Sequence, residues 1–188
     1  MRIISGVFKG KKILEPKDIK TRPLKDLTKE SIFNILNHSK KFSINLKESI
    51  VLDLFSGVGS FGIECLSREV KKVIFVENYG GVLPILKKNL LNIKPFLNYE
   101  IFEKNIYDKS TFLEFVDEFD IIFLDPPYKD KNLETLLNNI KETKILKKKG
   151  VIAIHRHKKE KDTFPSDFKI IEEKKYGISK IIFLIYSS

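Results

Sequence analysis

The sequence predicts an α/β protein built on a doubly wound sheet, and three observations carry that prediction. From Ser49 onward, short apolar runs rich in Val, Ile and Phe alternate with segments of helical periodicity, the pattern of a mostly parallel sheet covered by helices. Gly57, Gly59 and Gly62 spell G-x-G-x-x-G between the first such run and the next helix, the context that a ligand-cradling strand–loop–helix turn requires. Ile121-Ile122-Phe123-Leu124 is an unbroken apolar run, as in a strand buried on both faces. It runs directly into Asp125-Pro126-Pro127-Tyr128.

Taken in order, Arg2–Ser5 and Lys12–Leu14 read as a short hairpin around Gly6 to Lys11, with glycines at positions 6 and 10. Lys20-Thr21-Arg22-Pro23 is expected to be extended, because Pro23 restrains Arg22. A helix follows over Lys25–Asn37. Leu27, Ser31, Ile32, Ile35 and Leu36 form its apolar stripe, Phe33 lies beside it, and Asp26 or Thr28 caps it. Residues 38–48 read as a polar linker.

Strands are then expected at Ile50–Leu52, Lys72–Val76, Tyr99–Phe102, Ile121–Leu124 and Val151–Ile154. Helices are expected at Phe61–Leu66, Val82–Leu91, Thr111–Val116 and Leu133–Ile140. Phe168–Glu172 and Ile181–Tyr186, joined by a turn at Gly177, close the chain as an antiparallel pair. The sum is a seven-stranded, mostly parallel sheet with an antiparallel C-terminal strand. It is divided into a basic hairpin–helix extension over residues 1–48 and a doubly wound domain over residues 49–188. Ligands in such sheets sit beyond the carboxyl ends of the strands, where both Asp125 and the glycines fall.

Composition narrows the class. The chain has 188 residues, enough for one well-cored domain with an appendage. Its single cysteine, Cys65, excludes a disulfide framework and fits a reducing compartment. No apolar run approaches membrane-spanning length, and Ile3-Ile4 is too short for the core of a signal peptide. A soluble, cytoplasmic monomer is expected. The net charge is +10. Residues 1–48 hold 12 Lys and Arg against 5 Asp and Glu, so the excess is local rather than spread by a compositional bias. A basic segment of this kind points to a polyanion such as nucleic acid. Arg2, Lys9, Lys11, Lys12 and Arg22 are its candidate phosphate contacts.

Asp125-Pro126-Pro127-Tyr128 combines a carboxylate, stiffened carbonyls and an aromatic ring. Each proline fixes φ and donates no N–H, and each biases the residue before it toward extended geometry. The result offers two acceptors and a ring to stack on, which suits a nucleobase bearing an exocyclic amine. A rigid turn is the bland alternative. In the glycine loop, the backbone passes close to a ligand under the N–H groups of a helix start. Glu77 ends the second strand, where a carboxylate takes ribose hydroxyls. No Lys-Ser/Thr follows the glycines, so a nucleoside-triphosphate loop is excluded. Two cofactors remain, a nicotinamide dinucleotide and S-adenosylmethionine. The acidic residues Asp53 and Asp125 suit the ammonium and sulfonium of the second. His155 and His157 alternate at a strand end and form no ligand cluster with Cys65, so no metal is expected.

Asp53-Leu54-Phe55-Ser56-Gly57-Val58-Gly59, Phe75-Val76-Glu77 and Asp125-Pro126-Pro127-Tyr128 together resemble the class I, Rossmann-like S-adenosylmethionine-dependent amino-methyltransferases. Met1-Arg2-Ile3-Ile4-Ser5-Gly6, Lys9-Gly10, Thr21-Arg22-Pro23, Glu30-Ser31-Ile32-Phe33-Asn34-Ile35-Leu36 and Lys175-Tyr176-Gly177 resemble, more narrowly, the bacterial RsmD family. The likeness covers nearly the whole chain. It implies methylation of a guanine N2 in 16S ribosomal RNA, free or within an assembling small subunit. It also implies a donor site over Asp53, Phe55, Gly57, Val58, Gly59, Glu77, Asn78, Asn105 and Ile106. Asp125, Pro126, Pro127 and Tyr128 would then carry the chemistry. The chain departs from the family pattern at Leu27, at Asn105-Ile106 and at Ile178-Ser179. The readings to weigh against this one are an adenine-N6 methyltransferase of DNA, a dinucleotide oxidoreductase and a non-catalytic RNA-binding protein.

Overall fold

The computed structural model describes residues 1–16, 24–93, 98–127 and 129–187. Arg22, the rest of Lys20–Pro23, and Tyr128 lie outside the described residues. Helix α1 spans Asp26–His38, and a single 3-10 turn at Leu46–Glu48 precedes the sheet. The sheet strands are β1 (Ile50–Leu54), β2 (Lys72–Val76), β3 (Tyr99–Phe102), β4 (Phe119–Leu124), β5 (Leu146–His157), β6 (Phe168–Tyr176) and β7 (Ser179–Tyr186). Between them run α2 (Ser60–Ser67), α3 (Leu83–Ile93), α4 (Lys109–Leu113) and α5 (Leu133–Thr143). The order across the sheet is β3-β2-β1-β4-β5-β7-β6, and β7 alone runs against its neighbours. The chain reverses direction of travel across the sheet between β1 and β4, which opens the crevice that ligands of this architecture use.

Alternation along the strands builds two cores. Val51, Val73, Phe75, Ile121, Phe123, Val151 and Ala153 face one side, with α1, α2 and α3 packed over them. Leu52, Leu54, Ile74, Val76, Ile122, Leu124, Ile152 and Ile154 face the other, under α4 and α5. Neither face of the central strands meets water, which is why these runs are apolar at every position. No helix among the described residues is long and apolar enough to cross a membrane.

The N-terminal segment keeps the expected hairpin in reduced form, the Ile3 N–H donating to the Lys11 carbonyl at 2.9 Å and the Ile13 N–H to the Met1 carbonyl at 3.1 Å. Its ladder reduces to one antiparallel bridge, Arg2 with Lys12, around a series of turns. The Val7 N–H donates to the Ser67 carbonyl at 2.7 Å and the Phe8 N–H to Ser67 Oγ at 3.0 Å, so the turns between the two arms are anchored on the end of α2. Gly6 stands at φ +84°, and a Cβ there would lie 1.8 Å from the Ser67 carbonyl oxygen. Only glycine permits both the dihedral and the approach.

Helix α1 buries Ile32 and Leu36 of the expected stripe, with Phe33 beside them, but leaves Leu27 outside. Leu27 is 68% exposed, and Thr28, Lys29, Ile32, Phe33 and Leu36 are buried. Neither Asp26 nor Thr28 caps the helix: the N-cap position is Lys25, without a side-chain bond. Lys29 takes a buried place in the first turns. Its Nζ donates to the Arg2 carbonyl at 2.7 Å and lies 3.5 Å from Glu64 Oε2, with neither side chain exposed. Burial lowers the lysine pKa, against the pull of Glu64. Glu64 is further satisfied by the N–H groups of Ile4 and Ser5 and by Arg68 Nε. A buried charge so fully partnered fixes the register of Met1–Ser5 on α2. Phe33, Phe61 and Phe123 stack in turn at 5.3 and 4.1 Å, which carries α1 onto the sheet. The expected linker is partly packed as well, with Phe42 stacked 6.1 Å from Phe183.

Candidate active site

The carboxyl ends of β1, β2, β4 and β5 open onto one cleft of about 880 Å³, a size that suits a drug-sized or nucleoside-sized ligand. At the end of β1, Asp53 is buried and its Oδ2 accepts the Gly62 N–H at 2.9 Å. That bond ties the strand to the first turn of α2. Burial pushes the Asp53 carboxyl pKa well up, the Gly62 N–H opposes the shift, and the charges of Asp125 and Glu77 add to it. Phe55 follows at φ +62°, a left-handed conformation that costs an L residue about 1–2 kcal/mol. Its ring lies 5.7 Å from that of Tyr107, and both line the cleft.

Gly57 and Gly59 hold φ +56° and +87°, and the Gly59 N–H donates to the Ser56 carbonyl at 2.8 Å. The loop they shape is closed by Glu77 at the end of β2. Its Oε2 accepts the Gly57 N–H at 2.8 Å, and its Oε1 accepts those of Asn78 and Tyr79 at 2.9 and 2.8 Å. Three donors fix the carboxylate rigidly and leave Oε2 one open acceptor direction. After β3, Asn105 Oδ1 accepts the Tyr107 N–H at 3.1 Å, and Thr111 Oγ1 donates to the Asn105 carbonyl at 2.8 Å. This turn presents Asn105 and buried Ile106 to the cleft wall.

At the end of β4, Asp125 is partly buried and Pro126 is buried against the same cleft. The Pro127 carbonyl accepts from Arg156 Nη1 at 3.2 Å and from the Asp130 N–H at 2.8 Å. No described residue donates to the Pro126 carbonyl. Asp125 Oδ1 lies 2.8 Å from His155 Nδ1. Arg156, 2% exposed, also donates from Nη2 to the Asp130 carbonyl at 2.8 Å and from Nε to Asp162 Oδ1 at 2.9 Å. Tyr107 Oη donates to Asp130 Oδ2, which joins the turn after β3 to the loop after β4.

Of the residues singled out from the sequence, Asp53, Phe55, Gly57, Val58, Glu77, Asn78, Asn105, Ile106, Asp125, Pro126 and Pro127 all line this one cleft. Gly59 stands behind the wall as the N-cap of α2. The basic residues do not gather there. Arg2 pairs with Asp26 at 3.4 Å, one residue from the cleft-lining Lys25. Lys11 Nζ reaches the Ile93 carbonyl at 3.5 Å, at the far end of α3. Lys9 and Lys12 are exposed. Sequence reasoning missed the wall formed by Lys104, Tyr107, Lys129, His155, Ile178 and Ser179. For His155 a signal was present, since it directly follows a run expected to be a central strand.

Residues 1–185 match the family model described as Conserved hypothetical protein 95. The chain is 32% identical over 179 residues to Ribosomal RNA small subunit methyltransferase D of Haemophilus influenzae, covering 95% of this chain and 90% of that protein. It is also 32% identical over 184 residues to YlbH of Bacillus subtilis, with 96% of each chain covered. The solved structure of yhhF from Escherichia coli aligns with a TM-score of 0.83 at 25% identity, over 100% of this chain and 98% of that one. The extension and the sheet are thus matched together, and the glycine loop, Glu77 and Asp125 fall within the matched length. With a fold of the class I methyltransferase type and a match over almost its whole length, the chain belongs to the Conserved hypothetical protein 95 family, that is, the RsmD family.

Proposed function

We propose that this protein transfers a methyl group from S-adenosylmethionine to the exocyclic N2 amine of a guanine in 16S ribosomal RNA. The observation that carries the reading is the cleft itself. An acidic strand end with an open proline carbonyl, Asp125-Pro126, shares one wall with a glycine loop clasped by a carboxylate, Gly57 with Glu77. The Haemophilus influenzae relative, named as a ribosomal RNA small subunit methyltransferase, supports the substrate class.

The residues present fit the donor. Two carboxylates, Glu77 and Asp125, face the cleft with the carboxyl of Asp53 beside them, a set that favours a cation and disfavours a pyrophosphate. Glu77 would take the ribose hydroxyls through the open direction of Oε2. Phe55, Asn105 and Ile106 would hold the adenine, and Asp53 with Gly57, Val58 and Asn78 the remainder. When bound, the sulfonium supplies an electrophilic methyl carbon.

The protein's part is to prepare the amine. The N2 lone pair of guanine is delocalised into its ring. The Asp125 carboxylate and the Pro126 carbonyl each accept one N2 hydrogen, which favours tetrahedral nitrogen and aims the lone pair. Positioning of this kind supplies roughly 7–11 kcal/mol of a barrier when the geometry is good. Asp125 then holds the proton that the amine gives up. Tyr128, next in sequence, is assigned to stack on the base, worth about 1–3 kcal/mol. The guanine has to be unstacked or unpaired to enter. The basic extension over residues 1–48, with Arg2, Lys9, Lys11, Lys12 and Arg22, is assigned to the RNA backbone of the free or assembling subunit.

The test is incubation of the purified protein with tritiated S-adenosylmethionine and separate pools of 16S RNA, 23S RNA and DNA, followed by digestion to nucleosides. Label in N2-methylguanosine from 16S RNA is expected. Label in N6-methyladenine, or only in DNA, would replace this substrate with the adenine alternative. No transfer to any pool would remove the reading.

A further inference from the structure

A buried histidine stands directly behind the carboxylate to which the chemistry is assigned. Strands β4 and β5 are parallel neighbours, and Leu124 pairs with Ile154. Asp125, the first residue past β4, and His155, still within β5, therefore stand side by side at the same level. His155 Nδ1 lies 2.8 Å from Asp125 Oδ1, with the histidine side chain 9% exposed and the aspartate 21%. A carboxylate has only acceptors, so the hydrogen in this contact is carried by Nδ1. No described residue donates to Asp125 Oδ2.

This arrangement bears on orientation. The terminal torsion of an aspartate is broad, so a carboxylate without a partner samples many planes. One buried donor on Oδ1 selects a plane and leaves Oδ2 as the acceptor for a ligand. The backbone below is held from the same strand, because Arg156 grips the Pro127 and Asp130 carbonyls. Consecutive residues of β5 thus set the loop and the side chain of the proposed chemical centre separately.

We propose that His155 is a positioning residue for Asp125, its Nδ1–H fixing Oδ1 so that Oδ2 meets the hydrogen of the amine to be methylated. The catalytic meaning of this rests on the function proposed above, while the hydrogen bond itself does not. Asparagine is the informative replacement. Its amide nitrogen, like histidine Nδ1, is bonded to Cγ, so it restores a donor at the same distance along the side chain.

Two measurements test the proposal. In steady-state methyl transfer to RNA, His155→Ala is expected to lower kcat on the order of 100-fold with the RNA KM and the calorimetric Kd for S-adenosylmethionine little changed. His155→Asn is expected to regain most of that loss. A His155→Ala enzyme with parental kcat, or a His155→Asn enzyme no better than it, would overturn the proposal. The second measurement needs no RNA. Nitrogen-15 NMR of the histidine-labelled full chain, with the His155 signals identified by their absence from His155→Asn, is expected to show a hydrogen on Nδ1 that shifts in Asp125→Ala. A hydrogen on Nε2 alone, or signals indifferent to Asp125→Ala, would overturn it. Should the parent protein methylate no RNA while the NMR result holds, the proposed reaction has failed and the orienting contact has not.

Discussion

Arg156 Nη1 donates to the Pro127 carbonyl at 3.2 Å, so a fully buried guanidinium in β5 holds the loop that follows β4. Its fork also takes the Asp130 carbonyl and the Asp162 carboxylate. Lys180 Nζ stands 3.3 Å from Asp162 Oδ2, so the carboxylate has a second cation beside it. Five donors in a plane are what three acceptors at these angles require, and an ammonium lacks that shape.

Replacing Arg156 with Met is expected to destabilise the fold by about 3–5 kcal/mol, the usual effect of orphaning one partner of a buried pair. Lys180 draws the value toward the lower end. Arg156→Lys should recover only part of the loss. Chemical denaturation of the three proteins, read as midpoints at a common slope, checks both statements; equal midpoints for parent and Arg156→Met would refute them.

Asp53 gives a prediction with a sign. Its folded carboxyl pKa is raised above the ordinary 3.8 by burial, so the folded chain keeps a proton that the unfolded chain has released. The stability it contributes is full below the unfolded value and is lost as pH rises through the folded one. Asp53→Asn has no proton to lose and can still accept the Gly62 N–H. The ligand-free variant is therefore expected to melt higher than the parent at alkaline pH and to show a flatter curve above about pH 4. It should also bind S-adenosylmethionine more weakly. Thermal melts across pH and calorimetry read the two effects; a parent whose stability climbs with pH no less than the variant's would contradict the first.

The extension offers an electrostatic test. Lys9 and Lys12 are exposed and make no ion pair among the described residues. If each contacts a phosphate, Lys9→Ala and Lys12→Ala should each weaken RNA binding and reduce the salt slope by about 1. Filter binding of 16S RNA over a salt series measures it. Unchanged slopes would take these residues out of the interface.

Much of the site could be read from the chain because it sits where strands end. β2 and β3 match their expected bounds, β1 ends two residues later than expected and β4 begins two residues earlier, and in β1, β2 and β4 the apolar runs reflect burial on both faces. Asp53, Glu77 and Asp125 follow those runs directly. β5 was legible only from Val151 on. Its first half is Leu146-Lys147-Lys148-Lys149-Gly150, exposed at Lys148 and Lys149, and it meets β4 across a break in register between Phe119 and Ile121. β6 continues to Tyr176 as a sheet-edge strand with charged residues, which blurs its end in sequence. The buried Lys29, Glu64, His155 and Arg156 were missed for a common reason. Each is stabilised by a partner distant in sequence, and a charged letter gives no sign that its partner lies under the same roof. On α1 the expected stripe holds at Ile32 and Leu36 and fails at Leu27, because Thr28 and Lys29 take the buried places in the first turns.

The most direct test of the whole is Asp125→Ala, assayed for methyl transfer to 16S RNA beside calorimetric binding of S-adenosylmethionine. Transfer abolished with donor binding intact is the expected result. Turnover near the parental rate would contradict the role given to the Asp125 carboxylate.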